Sequence, residues 1–279
     1  MRQQPFGQNG PSVSVIGQGT WYLDRGNRAS AIAALRRGID LGMTHIDTAE
    51  MYGDAELVIA DAIAGRRDDV FLVSKVLPSN ASRRGAITAC ERSLKRLKTD
   101  RLDCYLLHWR GSYPLSETVA AFEQLVSDGK IRAWGVSNFD AGDLDEMLAV
   151  AGPGRIACNQ VLYHLRERAI EHAVIPWCKA HGTAVVAYSP FGHNDFPQGG
   201  SKAGEMLGTI ARAHRASPRQ IALAFLTRDQ EVFAIPKASS EDHAADNAAA
   251  GDLLLGDAEI AALDKAFPRG PKPRGLPML

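Results

Sequence analysis

The chain lacks most of the features that would assign it quickly. It has four cysteines, Cys90, Cys104, Cys158 and Cys178, with no short pair among them, which argues against a zinc ribbon, a redox CxxC motif or a disulfide framework. No run approaches the ~20 apolar residues of a membrane span, and the opening "MRQQPFGQNG" has no apolar signal core. A reduced cytoplasmic protein is expected. Charge of one sign is missing as well. Lys plus Arg and Asp plus Glu are 32 each, so nothing global draws the chain to nucleic acid or an anionic membrane. The basic stretch "RRGAITACERSLKRLK" reads as a helix with solvated charges. Eight histidines are spread without ligand-like spacing, so no metal is expected. The Walker loop is absent, and Gly17-Gln18-Gly19 fails the G-x-G-x-x-G pattern because Tyr22 stands at its third glycine.

What is present is a regular alternation. Short runs rich in Val, Ile and Leu read as buried strands: "VIGQGT", "THID", "VFLVSK", "LDCYLLH", "IRAWGVS", "IACNQ", "AVVAYS" and "VFAIPK". Helical spacing follows each, with starts near Ala29, Ala55, Ser82, Ser116, Ala141, Glu167, Pro218 and Glu241, and an extra helix over Lys202–Arg215. Eight strand–helix units in about the length typical of the fold predict a (β/α)8 TIM barrel of class α/β. Asn9-Gly10 between short extended runs predicts an N-terminal β-hairpin that plugs one mouth. A last helix near Asp257–Phe267 precedes an irregular, Pro- and Gly-rich C-terminal tail. No linker or shift of composition divides the chain, so residues 1–279 read as one domain. A doubly wound sheet is the alternative, but it needs no eight-fold count and usually carries a nucleotide-binding glycine loop.

In such a barrel chemistry gathers where strands run into the following loops. Strand two ends at Asp47, with Tyr52 in its loop ("THIDTAEMYGDAE"); strand three carries Lys75 at its tail, and strand four ends in His108 and Trp109. Lys75 is flanked by Leu72, Val73 and Val76, so its ammonium needs a buried partner, and Asp47 is the candidate. A free phenol has a pKa of about 10. A cation held against Tyr52 is expected to lower that value and let the phenol donate a proton to an oxygen gaining charge, with His108 supplying a second hydrogen bond. Alone, Asp47 and Lys75 would read as a structural ion pair and His108 as a core histidine; the clustering favours chemistry. His45 reads as structural. Trp21 and Trp109 read as pocket walls.

These residues resemble the aldo-keto reductase family, whose catalytic Asp, Tyr, Lys and His occur in this order. The resemblance runs through "GQGTW", "HIDTAEMYG", "LVSK", "LLHW", "GKIRAWGVSNF", "NQVLYH", "AYSPFG" and "IPKASSEDHAADN", and the chain is similar to small bacterial members that reduce methylglyoxal and other short aldehydes. It implies a nicotinamide dinucleotide as hydride donor. By resemblance, Ser137, Asn138 and Gln160 hold the carboxamide, Tyr188 stacks on the nicotinamide, and Gly19, Thr20, Trp21 and Asp47 border that end. Ser189, Phe191 and Gly192 line the pyrophosphate, with Asp195 in a strap over it. Asp246 and Asn247 match the adenine-binding pair. Lys237, Ser239 and Ser240 are expected at the 2′-phosphate. Ala238 stands where many members carry Ser and His243 where many carry Arg, so NADPH is expected and NADH stays open. The expected partner is a small carbonyl compound, and a monomer is expected. Two rivals remain at this point: a non-enzymatic NADP(H)-binding sensor on the same fold, and a Schiff-base aldolase using Lys75.

Overall fold

The computed structural model describes residues 1–279. Strands β1 (Gln3–Pro5) and β2 (Ser12–Ser14) form an antiparallel hairpin. Eight parallel strands follow: β3 (Gln18–Gly19), β4 (His45–Asp47), β5 (Phe71–Val76), β6 (Leu102–Leu107), β7 (Ile131–Ser137), β8 (Ile156–Leu162), β9 (Ala184–Tyr188) and β10 (Val232–Ala234). Each pairs with its neighbours in chain order. The ring closes between the first and last of them. Ala234 N donates to Val15 O (3.0 Å), Gly17 N to Ala234 O (2.8 Å) and Gly19 N to Pro236 O (3.1 Å). No sheet edge is left open, which is the barrel expected from the eight-fold alternation. The seam strands are shorter than the runs "VIGQGT" and "VFAIPK" because isolated bridges, not a continuous ladder, join them. A Cβ on Gly19 would meet Ile235 O at 2.5 Å, so glycine is what lets the two backbones approach there.

The helices are α1 (Arg28–Asp40), α2 (Ala55–Ala62), α3 (Arg83–Leu97), α4 (Leu115–Ser127), α5 (Ala141–Ala151), α6 (Val174–His181), α7 (Lys202–Ala213), α8 (Pro218–Leu226), α9 (Glu241–Ala249) and α10 (Asp257–Ala266). Side-chain oxygens of Asn27, Ser82, Asp140, Ser201, Ser217 and Ser240 accept from backbone N–H groups in the first turns of α1, α3, α5, α7, α8 and α9, fixing where those helices start. The helix expected near Glu167 begins instead at Val174. His164 and Glu167 pair with each other through their backbones, and Arg168 is buried against Glu171 and Asp264, which holds Ala169–His172 as a separate 3-10 turn.

The hairpin does plug the N-terminal mouth. Phe6 packs at 4.7 Å from Phe71, 5.1 Å from Phe233 and 5.6 Å from His45, ring centre to ring centre. Its loop is longer than an Asn-Gly turn: Phe6 N donates to Pro11 O (3.0 Å), and the left-handed residue is Gly7 (φ 83°). Above Phe6 the inward side of each strand alternates with period two. Phe71 and Val73 point into the barrel, then Lys75; Cys104 and Leu106, then His108; Ala184 and Val186, then Tyr188. The inward column thus passes from apolar at the plugged end to polar at the C-terminal ends.

Candidate active site

That polar layer brings four sequence-singled residues together. Lys75 Nζ donates to Asp47 Oδ1 (2.5 Å) and to Thr48 O (2.8 Å), and Gln160 Nε2 donates to the other carboxylate oxygen of Asp47 (2.7 Å). The side chains of Lys75 and Asp47 are 0% and 2% exposed. Lys75 Nζ lies 5.0 Å from the centre of the Tyr52 ring, facing it. The Tyr52 and His108 rings meet edge to face at 5.7 Å, and Trp21 and Trp109 stand beside them, 6.4 Å from Tyr52 and 4.9 Å from His108 respectively. Asn138 Nδ2 donates to His108 O (3.1 Å), fixing the end of that strand.

Burial dominates the electrostatics here. It pushes the Tyr52 phenol above its ordinary value, outweighing the downward pull of Lys75, with Asp47 adding to the rise. Lys75 pulls the phenol down as expected, but it offsets only part of the desolvation, so the net direction is upward. Burial alone would lower Lys75, but Asp47 and Tyr52 hold it above the usual lysine range, so it stays an ammonium. Burial raises the Asp47 carboxyl against the opposing pull of Lys75 and Gln160. His108 is lowered to about 2 by burial and then by Lys75, so its imidazole is neutral. A charged, doubly hydrogen-bonded Lys75 is a poor nucleophile, which removes the support for Schiff-base chemistry.

Two hollows meet over this cluster and share Trp21, Tyr52, Gln160 and Tyr188. One, of about 230 Å³, is walled by Trp21, Met51, Trp109, Met278 and Leu279, with Tyr52, His108, Ser137, Asn138 and Gln160 at its polar side. The other, of about 320 Å³, runs past Gly19, Thr20 and the loop Ser189–Asn194 to Lys237. Ser189, Gly192 and Asn194 all have left-handed backbones, which curl this loop over the cleft. Lys237 is exposed and forms no ion pair. The residues fit an extended dinucleotide: Gln160 keeps an acceptor oxygen free, Tyr188 offers a half-buried ring, and the unpaired ammonium lies at the far end. Other expected contacts lie off this wall. Asp195 accepts from His193 N (2.9 Å), closing the loop on itself. Ser239 precedes α9, Ser240 caps it, and Asn247 is buried within it. Asp246 accepts from Ser217 Oγ (3.1 Å) and Gln220 Nε2 (2.8 Å), tying α9 to α8.

The chain matches the family model for the aldo/keto reductase family over residues 15–267. It belongs to that family. It is 50% identical over 261 residues to the methylglyoxal reductase YeaE of Escherichia coli, covering 92% of each chain, and 34% identical to the glyoxal reductase of Bacillus subtilis, covering 96% and 95%. A Klebsiella pneumoniae aldo-keto reductase solved in complex with NADPH superposes with a TM-score of 0.93 at 45% identity, covering all of both chains. The eight-stranded barrel described above is therefore the aldo/keto reductase barrel. None of its helices is long and apolar enough to cross a membrane.

Several lining residues of this aldo/keto reductase were not legible beforehand. The tail was expected only as an irregular end. Instead Met278 and Leu279 form part of the wall, and Leu279 N donates to Tyr188 Oη (3.3 Å), which itself donates to Asn138 Oδ1 (2.9 Å). Met51 and His193 were also missed; His193 stacks on Trp21 at 6.1 Å across the cleft. Loop and tail positions carry no period that would point them inward.

His45, in the plugged layer below Asp47, is fully buried and neither ring nitrogen has a partner. Burial, then Lys75, lowers it to about 3, against about 6.5 in an unfolded chain. A base with a depressed folded pKa contributes stability above its unfolded pKa and loses it as pH falls. Stability should therefore decline from about pH 6.5 toward 3, with His108 acting in the same direction. His45→Leu should move the acid-unfolding midpoint, followed by circular dichroism, to lower pH; an unmoved midpoint would refute this account.

Proposed function

We propose that this aldo/keto reductase uses NADPH to reduce small neutral carbonyl compounds such as methylglyoxal, with Tyr52 as the proton donor. The observation that carries the assignment of the donor is geometric: the Tyr52 ring faces the buried Lys75 ammonium at 5.0 Å and meets His108 edge to face at 5.7 Å, where burial favours a neutral imidazole. A neutral imidazole retains one N–H to hydrogen-bond the substrate oxygen but has no second proton to release near neutral pH. The chemistry supplied by bound NADPH is hydride donation to the carbonyl carbon. Tyr52 gives its proton to the carbonyl oxygen, and the phenolate left behind is stabilised by Lys75, itself held charged by Asp47. No charged side chain lines the substrate hollow, which favours neutral substrates. The methylglyoxal and glyoxal reductases among the relatives support short aldehydes.

The test is loss of NADPH absorbance with methylglyoxal and benzaldehyde. NADPH binding without turnover of any carbonyl in such a panel would instead identify a binding protein. Cofactor choice follows from Lys237, the unpaired cation at the end of the cleft, since Ala238 packs its methyl against the core and donates nothing. kcat/KM should be higher with NADPH than with NADH. Lys237→Ala should lower the NADPH value by about 10–100-fold, the range of a hydrogen bond to a charged group, and leave NADH nearly unchanged. Equal values for the two cofactors in the unmodified protein would defeat the preference.

A further inference from the structure

The residue proposed to donate the proton does not sit on a strand or helix. Tyr52 lies in the segment between β4 and α2, so its hydroxyl is placed by whatever holds that loop. Helix α3 runs alongside and sends two arginines toward it, Arg92 and Arg96. They are four residues apart and so share a helix face. Arg92 donates to Glu50, two residues before Tyr52. Arg96 donates to Gly53 O (2.5 Å), Asp54 Oδ1 (3.1 Å) and Glu56 Oε2 (2.9 Å), all just after it. The loop is gripped on both sides of the phenol.

Two of the three carboxylates in this grip, Glu50 and Glu56, also face inward, to the segment that carries Lys75. Glu50 Oε1 accepts from Leu77 N (2.6 Å) and Asn80 Nδ2 (3.0 Å), and Glu56 Oε1 accepts from Ser74 Oγ (3.1 Å). Ser74 and Leu77 flank Lys75 along the chain, and Glu50 N donates to Lys75 O (3.2 Å). Glu50 and Glu56 have side chains only 5% and 1% exposed. Carboxylates this buried hold their places only when paired and hydrogen-bonded. The arginines supply the pairing, and the carboxylates transmit it to the strand.

We infer that Arg92 and Arg96 are positioning residues for catalysis: through Glu50 and Glu56 they set the distance between the Tyr52 hydroxyl and the Lys75 ammonium. The inference rests on Tyr52 being the proton donor. Proton transfer needs reacting atoms aligned closely, and a misplacement of about 1 Å can lower a rate about 10²-fold. The loop's backbone is tied to β5 before Tyr52, by Glu50 N to Lys75 O (3.2 Å), but not after it, where Glu56 and its bond with Ser74 Oγ supply the link.

The experiment compares R92M, R96M, R92K and R96K with the unmodified enzyme, using NADPH and methylglyoxal. Each Met variant should lower kcat by about 10–100-fold, with KM and the NADPH Kd, read by protein fluorescence, within about twofold. The solvent deuterium isotope effect on kcat should rise, because transfer from a displaced phenol becomes slower relative to the other steps. R92K and R96K, which keep the charge but lose the planar fork, should recover part of kcat. Unchanged kcat in folded Met variants would overturn the inference, as would a loss of kcat matched by an equal loss of NADPH affinity. If the Met variants fail to fold, the Lys variants decide: full kcat overturns it, and reduced kcat with unchanged NADPH Kd supports it. Y52F separates the two levels. Turnover in Y52F would remove Tyr52 as donor, whereas an inactive Y52F beside fully active arginine variants would remove only the positioning role.

Discussion

Tyr52→Phe should lower kcat by about 10²–10⁴-fold, the usual contribution of a positioned general acid, while NADPH binds almost as before. The substitution removes one oxygen and keeps the ring, so the packing against Trp21 and His108 at 6.4 and 5.7 Å is retained. Neither neighbour can substitute for the lost proton. His108, lowered to about 2 by burial and Lys75, is neutral at the near-neutral pH of the assay. The Lys75 ammonium is engaged by Asp47 and Thr48 O and does not line the open hollow. Residual turnover would then depend on water. Steady-state kinetics at saturating cofactor, with NADPH affinity taken from fluorescence titration, separates the chemical loss from a binding loss. A kcat within a few-fold of the unmodified enzyme would reject Tyr52 as the donor, and a parallel collapse of NADPH affinity would mean that the hydroxyl supports the cleft more than the chemistry.

How much of this was readable beforehand depends on which physical rule places a residue. Asp47, Lys75 and His108 stand at strand ends in register with buried inward positions, so alternation plus strand length locates them without coordinates. The barrel followed from counting units, and its plug from a short polar hairpin ahead of the first one. Tyr52 was legible as a phenol in the loop after Asp47, but the sign of its pKa shift was not. That sign depends on how much water the folded site excludes, and spacing carries no measure of dehydration. Met278 and Leu279 were missed because a Pro- and Gly-rich tail has no period, and its path back to Tyr188 is decided by contacts far away in the chain. Arg92 and Arg96 were read only as solvated charges on an amphipathic helix, since nothing local shows that the loop bearing Tyr52 passes beneath them. Sequence pattern therefore recovered residues fixed by secondary structure and lost those fixed by tertiary approach.

Lys75→Met should damage stability and turnover together, and the two losses can be pulled apart. The substitution keeps most of the apolar stem but leaves the Asp47 carboxylate buried with Gln160 as its hydrogen-bonding partner, at 2.7 Å. Breaking one side of a buried pair costs about 3–5 kcal/mol. For a chain of this size that corresponds to a Tm lowered by roughly 10 °C. Without Lys75 the upward push of burial on Asp47 is no longer opposed by a cation, so the carboxyl takes up a proton more readily in the folded state. A group whose folded pKa is raised contributes stability at low pH and loses it as pH rises through that pKa. The deficit of Lys75→Met should therefore shrink as pH falls from neutral toward the ordinary carboxyl range. Adding Asp47→Asn removes the buried charge outright, and the double variant should regain much of the lost Tm. Its kcat should stay low, because the phenolate of Tyr52 would still lack its cation. A single variant with unmodified Tm would show that the pair is not tightly coupled, and a double variant that recovers turnover along with stability would show that Lys75 acts only as a structural partner.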